Sequence, residues 1–368
     1  MNTVFIALGL LVGAWWFAGL RCLPTAAAGF HTGPGTVSVV VPARDEAAQL
    51  PTLLESLRSS GAAVREVIVV DDASTDATAA VAEAHGATVL RLEGEPPPGW
   101  TGKAHACARG ASVATGTMLL FLDADVTVAP GGVDRLLDAQ ARHGGLISVQ
   151  PHHRIERSYE SLSATCNVMA IVGTGLFAVW PRTRKPIAYG PCLMTAADDY
   201  RAVGGHAAVK GEVIEDVHLA RRYADHGLPV HAFGGGDVLS FRMYPGGVGQ
   251  LIDGWTKSLA PGAGLVSPVA VVAAAWWLTA CLAIGLRGIG AVLQPGSLEL
   301  GDAVVVLAGW IAVTLELRWM LRRIGSFGWS TAIFHPVPMC AFVALFGRSL
   351  WLTLVRGRVR WRGRDIAV

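Results

Sequence analysis

Two acidic residues, Asp123 and Asp125, end an otherwise apolar stretch, FLDADV. The residues before them read as a buried strand, and alternation along an extended chain would point both carboxylates to the same side of its carboxyl end. Two like charges that close need a cation or a shared proton. A divalent ion held by carboxylates and substrate phosphates is the functional interpretation, and a solvated turn is the alternative.

Charged residues also follow two earlier predicted strands. Arg44 and Glu46 come after the first strand, and Asp71 and Asp72 come after the second. Ligands of open parallel sheets bind beyond the carboxyl ends of the strands, so we expect these side chains to gather at one rim. A carboxylate there can accept hydrogen bonds from a base or a ribose, whereas the Ser, Thr and Asp that follow Asp72 could simply cap a helix.

Strands and helices alternate along this part of the chain. The pattern predicts strands at 37–41, 66–70, 88–92, in the run entering FLDADV and at 146–149, with helices at 46–58, 76–85, 103–114 and 131–142. Such alternation predicts an α/β fold with a mostly parallel sheet that helices cover on both faces.

Two further sites could contribute chemistry. Lys103 follows the loop GWTG at the start of a predicted helix, where a helix N-terminus and a lysine together favour an anion such as phosphate. Glu215 and Asp216 precede another predicted helix. They form either a general base for an attacking hydroxyl or only an acidic first turn favoured by the helix dipole.

The composition indicates membrane segments, because 52% of the residues are hydrophobic and only 16% are charged. Residues 1–21 are interpreted as a retained membrane anchor rather than a signal peptide, and residues 22–36 as a linker. The predicted C-terminal region comprises apolar segments at 268–286, 303–320 and 333–355 and a basic tail at 356–368. Prolines 336 and 338 and Arg348 favour a re-entrant third segment. An apolar stretch at 159–180 is predicted to lie as a helix on the membrane surface.

The charge pattern predicts how the chain is oriented. From residue 262 onward the sequence has ten arginines, no lysine and four acidic residues, as expected of loops beside a membrane and not of a nucleic-acid surface. Arg21 follows the predicted anchor. We therefore expect a multi-pass protein of the cell membrane with a cytoplasmic catalytic domain and tail.

These motifs together resemble glycosyltransferase family 2, which has the GT-A fold. The resemblance covers residues 37–258 and rests on VSVVVPARDE, VIVVDDASTDAT, FLDADV and IEDVHLARR. The segments PPPGWTGKAHAC, GPCLMTAADDYRAVGGH and FRMYPGGVGQLIDGWTKS are similar to those of membrane-bound members that glycosylate terpenoid lipids, such as carotenoid acids and hopanoids.

The resemblance implies an inverting enzyme that uses Mg²⁺ or Mn²⁺ and a nucleoside diphosphate sugar, usually a UDP-sugar. It implies a nucleotide-sugar site of Pro42, Arg44, Glu46, Asp71, Asp72, Lys103 and Asp123. It further implies that Asp125, with Asp123, binds the metal, and that Asp216 is the base, flanked by Glu215. The acceptor side is expected to include Trp255, Lys257 and His206.

We therefore expect transfer of a single sugar to a membrane lipid. The Gln-x-x-Arg-Trp motif of processive members is absent, since Gln250 and Trp255 are spaced differently and the arginine is missing. A polyprenyl-phosphate glycosyltransferase or a polysaccharide synthase is the enzymatic alternative. A non-catalytic membrane protein that binds sugar nucleotides is the alternative of another class. The sequence leaves the oligomeric state open.

Overall fold

The computed structural model describes residues 3–25, 36–61, 63–179, 186–356, 358–361 and 364–367. Most of the predicted linker at 22–36 and part of the predicted basic tail lie outside the described residues. The remainder forms an α/β unit joined to a set of apolar helices.

Seven strands form the central sheet. They are β1 Val37–Ala43, β2 Val64–Asp72, β3 Thr88–Leu92, β4 Met118–Leu122, β6 Leu146–Gln150, β8 Cys192–Ala196 and β9 Val230–Gly234. Their spatial order is β3-β2-β1-β4-β8-β6-β9, and every neighbouring pair is parallel except the two that involve β8. Beside it lies a three-stranded sheet of β5 Val126–Val128, β10 Leu239–Phe241 and β7 His152–His153.

Helices cover both faces of the central sheet, as predicted. They are α2 Leu50–Arg58, α3 Thr78–Ala84, α4 Gly102–Val113, α5 Gly132–His143, α7 Ala197–Ala202 and α8 Glu215–Asp225, with a short 3-10 helix at Gly205–Val209. Helix α6 Ala164–Val172 and a 3-10 helix at Ser158–Ser163 pack instead against the apolar helices described below. Alternate residues of β1 serve the two faces: Val39 and Val41 join the core under α2 and α5, and Val40 joins the core under α4. Burying each such side chain contributes about 1.5–3 kcal/mol.

Several elements differ from the predicted pattern, among them strand β9 of the central sheet and the small strands β5, β7 and β10, which were not predicted. The helix predicted at 46–58 begins at Leu50, after a turn at 47–49. The backbone N–H groups of Glu46 and Ala47 donate to the side chains of Thr78 and Asp76. Strand β8 was not predicted. It is short and buried, it runs antiparallel, and it is reached by a long connection, so it breaks the simple alternation of strand and helix.

The apolar helices are α1 Thr3–Phe17, α9 Val248–Leu265, α10 Pro268–Leu293, α11 Leu300–Ile324, α12 Trp329–Ile333 and α13 Pro336–Trp351, which continues as a π-helical turn at Leu352–Arg356. Among the described residues, three stretches are long and apolar enough to cross a membrane, namely 268–293, 300–324 and 336–355. Helix α1 has 15 residues, fewer than the roughly 20 that a perpendicular span requires. The tail backbone forms an antiparallel pair of strands, β11 Arg358–Trp361 and β12 Arg364–Ala367.

Helix α1 packs closely against α10 through two glycines four residues apart. A Cβ atom on Gly13 would lie 2.0 Å from Trp277 Cδ1, and one on Gly9 would lie 2.6 Å from Ala280 Cβ. Small residues with this spacing let helix backbones approach one another in apolar surroundings. The indole of Trp276 also donates to the carbonyl of Phe5 at 3.1 Å. The first helix is therefore an integral part of the helical bundle.

Replacement of Gly13 by leucine is expected to destabilise the protein. The added side chain would overlap the Trp277 ring and separate α1 from α10, at a cost of about 1–3 kcal/mol typical of overpacking. Thermal unfolding in detergent measures the loss. Gly290→Leu is the matched control, since a Cβ atom at Gly290 meets nothing within 4 Å. Equal stability of the two variants would contradict the packing role of Gly13.

The chain reverses direction after α11. Gly325, just after α11, pairs with His153 of the α/β unit. Pro336 packs against Gly285, which lies 17 residues after the start of α10 and therefore about 26 Å farther along that helix. Helix α13 then returns, and the Ser349 hydroxyl donates to Thr256 O at 2.6 Å in α9. The prolines stand in the first turn of α13, so the bend precedes this helix.

The prediction of a surface helix at 159–180 was wrong. Helix α6 has seven of its nine residues buried, and it packs against α1, α10, α11 and α13. Its apolar side chains are covered by other helices of the chain, so they are not free to enter a lipid surface.

Candidate active site

The loops after β1 and β2 hold each other in place at the rim of the sheet. Asp45 and Ala73 both have φ of +53°, a conformation that side chains other than glycine rarely adopt. The Asp45 carboxylate accepts from the Thr75 backbone N–H at 2.7 Å, and the Ser74 hydroxyl accepts from the Asp45 N–H at 3.0 Å. Strained backbone that is fixed by its surroundings is typical of binding sites.

These loops bring together the residues predicted to bind a nucleotide. Arg44 donates to the carbonyl of Asp72 at 2.8 Å, and Asp71 accepts from the Ser74 N–H at 3.0 Å. Asp71, Asp72 and Glu46 are buried. Pro42 lies beside Val70 in the parallel register of β1 and β2.

The prediction that Asp123 and Asp125 alternate along a strand was wrong. Strand β4 ends at Leu122, and residues 123–126 form a turn in which the Val126 N–H donates to the Asp123 carbonyl at 3.1 Å. Ala124 is buried under this turn, and both carboxylates are partly exposed. The turn, and not strand alternation, therefore presents the two acidic residues at the rim.

Lys103 links the two acidic groups of the site. It stands in the first turn of α4, whose N-cap residue Thr101 accepts from the Ala104 N–H. The lysine Nζ lies 2.7 Å from Asp123 Oδ1 and 3.4 Å from Glu215 Oε1. Burial lowers the pKa of Lys103, but these two carboxylates outweigh it and hold the pKa well above its ordinary value. Lys103 is therefore a fixed positive charge between β4 and α8.

Asp216 lies next to this lysine, with Gly190 between them. A Cβ atom on Gly190 would lie 3.1 Å from Lys103 Nζ and 3.2 Å from Asp216 Oδ2, and the Gly190 N–H donates to the carboxylate. Burial and then the adjacent Glu215 raise the pKa of Asp216 to about 7, against the effect of Lys103. A carboxylate with a pKa in this range suits proton transfer near neutral pH.

Three residues to which the sequence analysis assigned no role also belong to this region. Gly190 leaves room for Lys103 and Asp216 to approach each other. Tyr189 lies close enough to Asp216, and Tyr244 close enough to Asp125, for the charge of the carboxylate to act on the tyrosine hydroxyl. The Gly-Pro pair at 190–191, which follows a run of charged residues, was the available signal for the first of them.

The structure does not place two of the expected acceptor residues where an acceptor could touch them. Trp255 is 6% exposed, and its indole donates to Ser163 Oγ at 2.9 Å. His206 is 1% exposed and hydrogen-bonds Tyr200 at 2.8 Å, and burial together with Lys103 lowers its pKa to about 3. Both side chains face the interior because their helices pack there. Lys257, half-buried on α9, remains compatible with the prediction.

The carboxylates of Asp123 and Asp125 fit a metal ion whose coordination is completed by oxygens of the substrate. Within the part of the chain that the structure describes, no three His, Cys, Asp or Glu side chains are grouped so as to hold an ion by themselves. Asp123 and Asp125 nevertheless offer hard oxygen ligands on one turn. Magnesium is typically held by one or two carboxylates and by phosphates. A diphosphate bound at this rim would complete such a set.

Comparison with known proteins agrees with this arrangement. A family model described as "Glycosyl transferase family 2" matches residues 38–202. The 4,4'-diaponeurosporenoate glycosyltransferase of Staphylococcus aureus strain MRSA252 is 33% identical over 370 residues, covering 100% of this chain and 97% of the relative. The protein of the same name from strain N315 shows the same identity and coverage.

One solved structure extends the likeness to the overall fold. It is the mannosyltransferase PcManGT from Pyrobaculum calidifontis in complex with GDP-Man and Mn²⁺. The two chains superpose with a TM-score of 0.52 and 18% sequence identity, and 95% of each chain is covered. At this identity the likeness concerns the fold alone.

Proposed function

Because this chain belongs to glycosyltransferase family 2 and is therefore a glycosyltransferase, we propose that it transfers a single sugar from a nucleoside diphosphate sugar to a terpenoid acid in the membrane. The observation that carries the proposal is the likeness to 4,4'-diaponeurosporenoate glycosyltransferases along the whole chain, apolar helices included. That name denotes a carotenoid acid as the acceptor of the relatives.

The donor would bind across the ends of β1, β2 and β4. Asp71 and Asp72 are placed to hold the base and ribose, with Pro42, Arg44 and Glu46 around them. Asp123 and Asp125 would hold Mg²⁺ or Mn²⁺, which when bound neutralises the charge that develops on the leaving diphosphate. UDP-hexose is the proposed donor, and GDP-mannose, the ligand of the mannosyltransferase of similar fold, serves as a comparison donor in the test below.

Asp216 would receive the proton of the acceptor. A carboxylic acid that leaves an apolar membrane tends to keep its proton, because desolvation disfavours the charged form. The raised pKa of Asp216 lets it take that proton near pH 7. The deprotonated acceptor oxygen would then attack the anomeric carbon from the face opposite the diphosphate, which inverts the configuration. Glu215, paired with Lys103, would keep Asp216 in place.

The surroundings of Trp255 favour one transfer per acceptor. The Gln-x-x-Arg-Trp motif that is associated with chain growth in processive family members is absent from this chain. Here the Trp255 indole is buried and bonded to Ser163, and its ring packs edge-on against Tyr244. This tryptophan therefore contributes to packing and offers no exposed platform for a growing sugar chain.

The catalytic carboxylates lie next to the helices that lead into the membrane. A Cβ atom on Gly262 in α9 would lie 3.8 Å from Ile214, which directly precedes Glu215. Arg221 of α8 also donates to the carbonyl of Leu265 at 2.9 Å, just before α10 begins. An apolar acceptor could therefore reach Asp216 along the end of α9 without crossing bulk water.

We further propose that the catalytic domain and the tail lie on the same, cytoplasmic side. By length alone, residues 336–355 could cross a membrane. The contacts of Gly325 with His153 and of Ser349 with Thr256 support a re-entrant arrangement instead, because they hold both ends of the longer stretch 325–349 on the α/β side, while Pro336 within it lies deep beside Gly285. Helices α10 and α11 would then be the full crossings behind the domain, and α1 would contribute a shorter one.

Transfer by the purified, detergent-solubilised enzyme tests the function. The donors are radiolabelled UDP-hexoses and GDP-mannose. The acceptors are an apolar polyene acid, the corresponding alcohol, a polyprenyl phosphate and a soluble disaccharide. We expect one hexose per molecule of acid, in the organic phase, and release of the sugar by mild alkali because the bond is an ester. Transfer to polyprenyl phosphate or to the disaccharide but not to the acid, or formation of long sugar chains, would reject the proposal.

A further inference from the structure

A single ammonium group separates the predicted metal site from the predicted base. Lys103 Nζ lies 2.7 Å from Asp123 Oδ1 on one side and 3.4 Å from Glu215 Oε1 on the other. On a third side, Gly190 places it close to Asp216. The lysine is thus in contact with Asp123 Oδ1, one of the carboxylate oxygens that a divalent cation would use.

The Lys103 ammonium group and a divalent cation compete for the Asp123 carboxylate, and both cannot bind it fully at the same time. Two positive charges a few ångströms apart repel each other appreciably even at an effective dielectric constant of about 20. A cation that binds alone would therefore have to displace the ammonium group from Asp123 and tolerate it nearby. A diphosphate removes this conflict, because its negative oxygens provide a second partner for the lysine.

We propose that Lys103 acts as the counter-ion of Asp123 until the sugar nucleotide binds, so that the divalent cation and the nucleotide enter the site together. The inference rests on the proposed function, since it takes Asp123 and Asp125 as metal ligands. When the diphosphate arrives, the ammonium group turns from Asp123 to a phosphate oxygen, and its contact with Glu215 holds it between the two halves of the site. Lys103 thereby prevents tight metal binding without donor.

Manganese binding to the full-length protein tests this role without any measurement of activity. Free Mn²⁺ is quantified by electron paramagnetic resonance, with and without UDP. We expect Lys103→Met to tighten Mn²⁺ binding by at least about tenfold in the absence of UDP, because a positive charge beside Asp123 is lost. We expect the same substitution to reduce the enhancement that UDP produces by a similar factor. Lys103→Arg keeps the charge, so its binding without UDP should stay weak.

Two further variants make the result specific. Lys210→Met removes the same charge from an exposed position and should leave Mn²⁺ binding unchanged. Asp125→Asn should weaken Mn²⁺ binding in the presence of UDP. If Lys103→Met leaves Mn²⁺ binding without UDP unchanged, or weakens it, while the wild type binds Mn²⁺ with UDP, the inference about Lys103 is wrong. If the wild type binds no Mn²⁺ even with UDP, the metal assignment itself fails.

Discussion

Asp125→Asn is expected to lower sugar transfer at least about a hundredfold, which is the range found when one preorganised stabiliser of developing charge is removed. Asp125 lies on the turn after β4, partly exposed and within electrostatic range of Tyr244. Asparagine has the same shape but cannot supply the negative charge that retains a divalent cation. The diphosphate would then leave without its counter-charge, so the loss should fall mainly on kcat.

The measurement is the initial rate at increasing Mn²⁺ and Mg²⁺ concentrations, alongside thermal unfolding. Asp225→Asn is the control, because Asp225 is exposed at the far end of α8 and should tolerate the change. We expect excess cation to rescue the Asp125 variant only in part. Full activity of Asp125→Asn in the presence of EDTA would exclude this residue as a metal ligand.

Asp216→Asn is expected to reduce transfer to an alcohol acceptor by about two to four orders of magnitude, as loss of a general base does. Transfer to the corresponding acid should suffer less, because a carboxylic acid ionises more readily than an alcohol. Binding of UDP, measured by calorimetry, should remain within a few fold of the wild type, since Asp216 is proposed to act on the acceptor and not on the nucleotide. A parallel collapse of UDP affinity would show that Asp216 belongs to the nucleotide site.

The pH dependence provides a second test of this residue. Asp216 accepts a proton only in its deprotonated form, so kcat/KM should rise as the pH increases through the raised pKa of about 7. In Asp216→Asn the remaining activity should lack this rise. For an acid acceptor, the remaining activity should instead follow ionisation of the acceptor itself. An unchanged profile in the variant would assign the titration to another group.

Much of the α/β unit could be predicted, because each of its strands and helices is indicated by the residue pattern of a short segment of the sequence. Strands β1, β2 and β3 are apolar runs that end at charged residues or glycine-rich turns, and the helices between them have regular apolar spacing. The acids at 71–72 and 123–125 were therefore assigned to one rim of the sheet, and the structure places them at the ends of β2 and β4. Membership of glycosyltransferase family 2, inferred from these motifs, is confirmed.

Two of the errors concern residues whose environment depends on distant parts of the chain. Trp255 reads as an interfacial aromatic when only its neighbours in sequence are considered, yet its partner Ser163 lies 92 residues earlier. The segment at 159–180 likewise reads as a surface helix until four other helices are found to cover it. An apolar sequence predicts that the side chains are shielded from water, but it does not show whether lipid or protein shields them.

The glycine face of α1 has a consequence for the order in which the protein is made. Gly9 and Gly13 are synthesised before Trp276, Trp277 and Ala280, which they contact and which follow more than 260 positions later. Domains fold largely as units from the N-terminus during synthesis. Folding of the α/β unit can thus begin before α10, the packing partner of α1, has been synthesised. Translation that stops before residue 268 would release a chain in which the glycine face of α1 has no α10 to pack against and α6 lacks three of the helices that bury it.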